Sequence, residues 1–193
     1  MNINTTYTKI ITDEDLMETV QHGSNLYPFQ FYYEDLSVFD FNCIEWHWHT
    51  ELEFIYIESG TVTLWIGEDQ FNLTEGNGIF INTKVLHRHY SPSKAHIPKF
   101  VFMPSFIAPC DSLIYQKYIV PILHSSLSYP IFSPKIPWQK SVTPILSSLY
   151  AHQQSASVSE LHTVRLLFDI WDILFRHMDL SSSDSVLLSS RRR

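Results

Sequence analysis

The first half of the chain alternates short apolar runs with turn sequences, a pattern typical of antiparallel strands. Turn sequences such as Ser59-Gly60 and Glu75-Gly76-Asn77-Gly78 separate the runs. Many short strands at even spacing predict a β-barrel or a β-sandwich. The expected strands are Phe31–Tyr33, Ser37–Phe41, Ile44–His49, Leu52–Ile57, Thr61–Ile66, Gln70–Leu73, Gly78–Ile81, Leu86–Tyr90 and Phe100–Met103.

The second half, from Asp111 onward, has apolar residues at helical spacing and predicts two or three helices. The first covers 112–119 and should stop at Pro121. The second covers 138–152, although Pro144 inside it conflicts with a continuous helix.

The third predicted helix, 159–178, has the clearest pattern. It follows Ser157-Val-Ser-Glu160, a capping-box sequence. Its apolar residues cover more than half of the helix circumference, so the helix should be buried on two sides. In one arrangement the helix packs on the barrel of its own chain. In the other, one side of the helix packs on a neighbouring helix and the opposite side packs on a second subunit. The two arrangements are compatible. The residues expected at a dimer interface are Leu161, Val164, Phe168, Trp171 and Phe175.

Composition indicates a packed protein that does not itself hold DNA. The 193 residues are 45% hydrophobic and 17% charged, which excludes a disordered chain. The formal net charge is -7, and the basic residues are scattered apart from Arg191–Arg193, so phosphate contacts are not expected. Two distant cysteines argue against a disulfide framework. No signal peptide or membrane-spanning segment is visible, and a cytoplasmic protein is expected.

The segment Trp46 to Glu53 carries the candidate chemistry. Odd positions in and around it are ionisable (Glu45, His47, His49, Glu51 and Glu53), while even positions are apolar apart from Thr50. On a strand, alternate residues share a face, so His47 and His49 should point the same way. Two imidazoles and a carboxylate on one face can bind a divalent transition metal such as Zn, Ni, Fe or Mn. The odd face is therefore the candidate ligand-binding surface.

The spacing also resembles the two motifs of the cupin superfamily. His47-x-His49 is followed by Glu53 and Gly60, and Gly76 is followed by His87. The resemblance implies a small antiparallel β-barrel with His47, His49, Glu53 and His87 in the positions of the family's metal ligands. The sequence departs from the motifs where the family usually has Gly, Pro, Gly and Asn. Those positions are Phe41, Asn82, Lys84 and Ser91. His89 shares strand parity with His87 but falls outside the motifs, and it is expected at the surface or rim.

A longer stretch resembles the N-terminal sensor domain of AraC/XylS-family transcription regulators. It comprises Trp46–Gly60, Glu75–Asn82 and Val85–Arg88, with a further similar segment at Ser112–Leu123. The resemblance implies a mainly β fold: a cupin-like antiparallel β-barrel (jelly roll) followed by two or three α-helices. The expected divisions are an N-terminal arm over 1–27, a barrel over 28–108, a helical dimerisation and coupling region over 109–180, and a linker or fragment edge over 181–193.

By this resemblance the chain is a ligand-binding regulatory domain and not an enzyme. A small-molecule effector would bind in the barrel at Glu45, His47, His49, Glu51, Glu53 and His87. The chain would form a homodimer through its C-terminal helices and reach DNA only through domains absent from this chain. The histidines either bind a metal or hydrogen-bond an effector or one another. The alternatives are a metal-dependent cupin enzyme, either a dioxygenase or an isomerase, and a scaffold that only dimerises.

Overall fold

Two antiparallel β-sheets face each other in the computed structural model, which describes residues 8–178. The expected linker 181–193, with its three arginines, and the first seven residues of the expected arm lie outside this range. The helix-covered sheet has the order β1-β8-β3-β6-β9, and the second sheet has the order β2-β7-β4-β5. The strands are β1 Phe29–Asp35, β2 Cys43–His47, β3 Leu52–Tyr56, β4 Thr61–Ile66, β5 Asp69–Thr74, β6 Gly78–Ile81, β7 His87–Tyr90, β8 His96–Phe102 and β9 Ile131–Phe132.

Strands β3, β6, β8 and β9 of the helix-covered sheet divide their apolar residues between two cores. Residues such as Ile55 and Ile79 point between the sheets and pack with Leu64 of the second sheet. Their neighbours Phe54 and Phe80 point outward into a core shared with the helices. The helix-covered sheet therefore buries side chains on both faces, since it separates the barrel interior from the helices.

Helices follow the barrel, as predicted. After a π-helical turn at Tyr115–Ile119 come α1 Val120–Leu123, α2 Pro137–Lys140, α3 Thr143–Gln154 and α4 Glu160–His177. Together with the antiparallel sheets they confirm the predicted mainly β, cupin-like fold with C-terminal helices.

The prolines fit the helices better than the sequence suggested. Helical structure continues past Pro121 because this residue lies in the first turn of α1, where a missing N–H removes no helical hydrogen bond. Pro144 likewise lies in the first turn of α3, and a break near Ser141 separates α3 from α2. The N-cap of α4 is Ser159, whose hydroxyl accepts from the His162 N–H, so the capping box predicted at Ser157 is wrong.

The strand predicted over 37–41 is also wrong. Two single 3₁₀ turns, Leu36–Val38 and Asp40–Asn42, occupy this stretch instead. The Asp35 carboxylate accepts from the Ser37 N–H and starts the first turn. Phe41 adopts a φ of 58° and Lys84 a φ of 59°, which is the left-handed region that glycine favours. These are two positions where the cupin motifs usually have glycine, so the backbone keeps that conformation without it.

The structure corrects one residue of the expected dimer interface. Trp171 on α4 is only 3% exposed, its Nε1 donates to the Tyr118 carbonyl at 2.9 Å, and its ring meets Phe80 edge-on. It is covered by its own chain and is not available to a second subunit. Of the other four, Leu161 is 81% exposed and the rest are half-buried: Val164, Phe168 and Phe175. Across residues 8–178 no helix combines the length and the apolar character needed to cross a membrane.

Candidate metal and effector site

A bulge in β2 determines which of its side chains enter the barrel. Ile44 pairs with His89 and His47 pairs with His87, so three steps on β2 match two steps on β7. A bulge of this kind inserts one residue and shifts the alternation of faces by one position. Both Ile44 and His47 are therefore buried, although one is even-numbered and the other odd-numbered. The bulge brings His47 beside His87, with ring centroids 4.0 Å apart.

Three histidines converge between the two sheets. One ring nitrogen from each of His47, His49 and His87 lies within 4.8 Å of the other two, and all three residues are buried. Each Nδ1 donates to a nearby backbone carbonyl, that of Glu45 at 2.8 Å, Glu51 at 3.2 Å or Val85 at 2.8 Å. Because Nδ1 donates, it carries the proton when the ring is neutral. Nε2 then has a free lone pair, and a neutral imidazole with a free Nε2 lone pair is the form that binds metals.

Glu53 joins this cluster from β3. Its Oε2 lies 3.1 Å from Nε2 of His87 and 3.4 Å from Nε2 of His49. Its Oε1 is buried and has no hydrogen-bond partner within the described part of the chain. A buried carboxylate oxygen without a donor is costly, so Glu53 is suited to a further cationic partner.

The cluster shifts the pKa values of its members in opposite directions. Burial opposes ionisation of Glu53, but the Lys99 ammonium and hydrogen bonds from His49 and His87 outweigh it and hold its pKa well below the usual range. Burial also opposes the charge on His49, yet the hydrogen bond to Glu53 and its negative charge raise the His49 pKa. For His47, burial followed by the neighbouring charges of His87 and Lys99 lowers the pKa well below its ordinary value.

A buried ion pair lies next to the cluster and was not anticipated from the sequence. Nζ of Lys99 on β8 is 2.9 Å from Oε2 of Glu34 and 3.8 Å from Oε1 of Glu53, and it lies 5.6 Å from the centre of the Tyr32 ring. Burial disfavours the charged lysine, but the Glu34 and Glu53 carboxylates raise its pKa above its ordinary value. A lysine at position 99 within the apolar run 97–102 was a usable signal, because such a charge needs buried partners.

The segment preceding β1 contacts the same cluster from outside the sheets. Nδ1 of His22 is 2.8 Å from the Tyr32 hydroxyl, Nε2 is 3.4 Å from a Glu18 carboxylate oxygen, and the ring lies 5.6 Å from that of His49. The indole of Trp48 donates to the Asp15 carbonyl at 2.8 Å and fixes this segment to the end of β2. No sequence pattern singled out Glu18 or His22, because their positions depend on how the segment folds back.

A cleft of about 500 Å³ opens beside this segment. It is bordered by His22 and by Glu51, both of which also contact His49. Met103 and Ser105, beyond the end of β8, form the other side of the cleft. Solvent-accessible space therefore reaches the residues that surround the buried histidines.

Two of the sequence-based site assignments need correction. Glu45 was expected inside the barrel, but it is exposed and pairs with Arg88 on the outer face, Oε2 to Nε at 3.0 Å. The β2 bulge is the reason, because it turns Glu45 outward. His89 was expected at the surface or rim, but it is 1% exposed between the sheets. Neither of its ring nitrogens has a hydrogen-bond partner among residues 8–178. Glu51 lies at the edge of the cluster, with Oε2 3.9 Å from Nδ1 of His49.

The residues fit a divalent transition metal. Three imidazole nitrogens and one carboxylate suit Zn, Fe, Ni or Mn, and the buried Nε2 of His87, which has no hydrogen-bond partner among residues 8–178, is consistent with a metal ligand. His47, His49, His87 and Glu53 would hold the ion. A metal bound there would supply Lewis-acid chemistry or a coordination point for an oxygen-containing ligand.

Comparison with known proteins agrees with the fold. Residues 43–102 match the family described as "Cupin domain". The chain is 24% identical over 187 residues to an "Uncharacterized HTH-type transcriptional regulator YdeC" of Bacillus subtilis (strain 168). This match covers 94% of the chain but only 64% of that regulator.

Among solved structures, ToxT from Vibrio cholerae superposes with a TM-score of 0.53 at 13% identity, covering 83% of this chain and 61% of ToxT. ToxT bound to (E)-4-(8-methylnaphthalen-1-yl)but-3-enoic acid gives a TM-score of 0.51 at 12% identity, with 82% of this chain and 61% of that one covered. The match of residues 43–102 to a cupin domain and the likeness to ToxT agree with the predicted fold. The sequence likeness to an HTH-type regulator is consistent with the predicted resemblance to cupin-type regulator domains.

Proposed function

We propose that this chain is the effector-sensing and dimerisation domain of an AraC-type transcription regulator. The observation that carries the proposal is the sealed cluster of His47, His49, His87 and Glu53, which the segment containing Glu18 and His22 contacts directly. A buried polar site of this kind stabilises the fold poorly compared with an apolar core, and its cost is consistent with a binding role. The barrel, 28–108, would bind the effector, and the helical region, 109–180, would dimerise and transmit the signal.

Contacts at the barrel mouth supply a route by which occupancy can change structure. A ligand that rearranges His49 also changes the ring contact of His49 with His22 and the segment before β1. Regulation requires that the ligand bind one arrangement of this segment more tightly than the other, since equal affinity shifts nothing. The adjacent cleft of about 500 Å³ supports a small-molecule effector. ToxT, which has the same fold, was solved with an organic acid bound, and this also fits a small-molecule effector.

The helices are connected to the wall of the barrel that carries Glu53. The buried Asn82 amide, just after β6, donates to the carbonyls of Ile122 at 3.0 Å and Leu127 at 2.9 Å. Phe80 of β6 meets Trp171 of α4. A shift in the barrel wall therefore reaches α4, whose outward residues Leu161, Val164, Phe168 and Phe175 are the proposed dimer contacts. DNA would be bound by the part of the regulator that corresponds to the unmatched length of the B. subtilis relative.

The proposal is tested with the full chain stripped of metal and then titrated with defined probes. Neutral monosaccharides, aromatic and aliphatic carboxylates, and Ni²⁺ or Zn²⁺ are added separately while melting temperature and sedimentation are measured. A sensor domain should show a saturable rise in melting temperature with at least one class, together with a change in sedimentation. The rise should be lost in His49→Ala and kept in the matched surface variant Glu45→Gln. Equal responses in both variants, or none in the parent chain, would contradict the proposal.

A second candidate function is a metal-dependent cupin enzyme. The specific observation in its favour is the donor set, three imidazoles and one carboxylate with Nδ1 of each ring fixed by a backbone carbonyl. The two functions are separated by loading the chain with Fe²⁺ or Mn²⁺ and following oxygen uptake with candidate carboxylates and polyols. Turnover that disappears in His87→Ala would favour the enzyme, whereas saturable binding without turnover favours the sensor.

A further inference from the structure

Lys99 and the candidate metal position share one carboxylate. Oε2 of Glu53 faces the histidines, at 3.1 Å from His87, whereas Oε1 of the same group lies 3.8 Å from Nζ of Lys99. Lys99 is 5% exposed and is the nearest ammonium to Glu53 among the described residues. A metal bound by the histidines would therefore have a fixed positive charge on the far side of its own carboxylate ligand.

The lysine cannot easily leave this position. Its Nζ is held 2.9 Å from Glu34, and it projects from the centre of β8 between the two sheets. Two cations on opposite sides of one buried carboxylate repel each other strongly, because buried charges are poorly screened by water or salt. Glu34 offsets part of this repulsion, since it is the carboxylate nearest the ammonium.

We propose that Lys99 is a resident cation that weakens divalent-metal binding at the histidine cluster, and that Glu34 sets how strongly it does so. This proposal rests on the proposed function, in the form in which the histidine cluster binds a metal. In the metal-free protein the Lys99 ammonium offsets the charge of Glu53, so the site is stable when empty. Metal binding is then reversible, as a sensor requires, and not a permanent structural bond.

The test compares metal affinity in chains that differ only at this ion pair. Full-length protein is stripped with EDTA, and Ni²⁺ affinity is measured by calorimetry and checked with Zn²⁺ in a competition assay. Glu34→Gln removes the counter-charge and should weaken binding at least fivefold. The double variant Glu34→Gln with Lys99→Met removes both charges together and should tighten binding at least tenfold relative to the parent. Lys99→Arg keeps the charge and should stay within threefold.

Opposite shifts from the single and double variants are what a purely structural role would not produce. Circular dichroism and melting temperature check that each variant is folded, and Lys99→Gln with Glu34→Gln replaces the methionine variant if that one does not fold. Parent-level affinity in the double variant would overturn the role of Lys99 while leaving the metal site intact. Metal binding that persists unchanged in a His47→Ala, His87→Ala variant, or no binding by any variant, would overturn the metal site itself.

Discussion

Nε2 of His87 and Oε2 of Glu53 lie 3.1 Å apart and join the two sheets of the barrel. His87 is on β7 of the second sheet, and Glu53 is on β3 of the helix-covered sheet. Their contact is polar, whereas aliphatic residues such as Ile55 and Leu64 pack between the sheets elsewhere in the barrel. The polar cluster is therefore a structural connection across the barrel as well as a candidate binding site.

Replacing Glu53 should have a large effect, and replacing Glu45 should have little. Glu53→Gln leaves the buried Lys99 ammonium without one of its two carboxylate partners, so we expect a loss of about 3–5 kcal/mol in the free energy of unfolding. Glu45→Gln removes only an exposed pair with Arg88 and should cost less than about 1 kcal/mol. Urea unfolding at pH 7 measures both, and similar losses would contradict the placement of the two carboxylates.

The metal-free protein should lose stability as the pH falls below about 6.5. Burial, followed by the charges of His87 and of other neighbours, lowers the pKa of both His47 and His89 well below the usual value. The unfolded chain therefore takes up protons that the folded chain refuses, which costs about 1.4 kcal/mol per proton per pH unit. His49 has a raised pKa, so its contribution is complete below about 6.5 and is lost only at higher pH.

The pH effect is measured by urea unfolding at pH 6.5 and pH 5.5 in the presence of EDTA. His89→Leu should reduce the dependence of the free energy of unfolding on pH, because it removes one of the two histidines that bind a proton only in the unfolded chain. The exposed His124→Gln serves as a matched control and should retain the slope of the parent chain. An unchanged slope in His89→Leu would show that this ring is not held neutral.

Trp171 should behave as a core residue and not as an interface residue. Trp171→Ala removes a buried ring and its hydrogen bond to the Tyr118 carbonyl, so we expect a loss of about 3–5 kcal/mol. Leu161→Ala, on the same helix but exposed, should change the free energy of unfolding by less than about 0.5 kcal/mol. Sedimentation of Leu161→Glu then reports on dimerisation in a folded chain, and a stable Trp171→Ala monomer would contradict the packing described.

Gly60 and Gly67 offer a matched pair of turn glycines. Both have positive φ, 86° and 54°. A Cβ on Gly60 would lie 2.7 Å from the Lys94 carbonyl oxygen and 2.8 Å from Cβ of Ala95, whereas one on Gly67 would meet nothing within 4 Å. Gly67→Ala should cost about 1–2 kcal/mol for the backbone conformation alone. Gly60→Ala should cost more, as thermal unfolding of the two variants can show; equal costs would mean that the crowding at Gly60 relaxes freely.

The sequence predicted the fold well because the strand and turn signals were local. The gathering of His47, His49, Glu53 and His87 also followed from motif spacing. Glu45 was misplaced because strict alternation was assumed through β2, and a bulge depends on pairing with a partner strand, which a single strand does not reveal. His89 was misplaced because it falls outside the cupin motifs, although it shares a strand face with the buried His87. Glu18, His22 and Glu34 join the site through tertiary contacts that leave no periodic signal.

Because β2 contains a bulge, the pocket depends on the number of residues between Ile44 and His47 more than on which residues they are. His47 reaches its position through the number of peptide units that separate it from Ile44, while Glu45 and Trp46 between them contribute little to the interior. Related chains that keep this pocket should therefore vary freely at those two positions yet rarely gain or lose a residue there. A design that places His47 and His87 in another barrel would also need the bulge between Ile44 and His47.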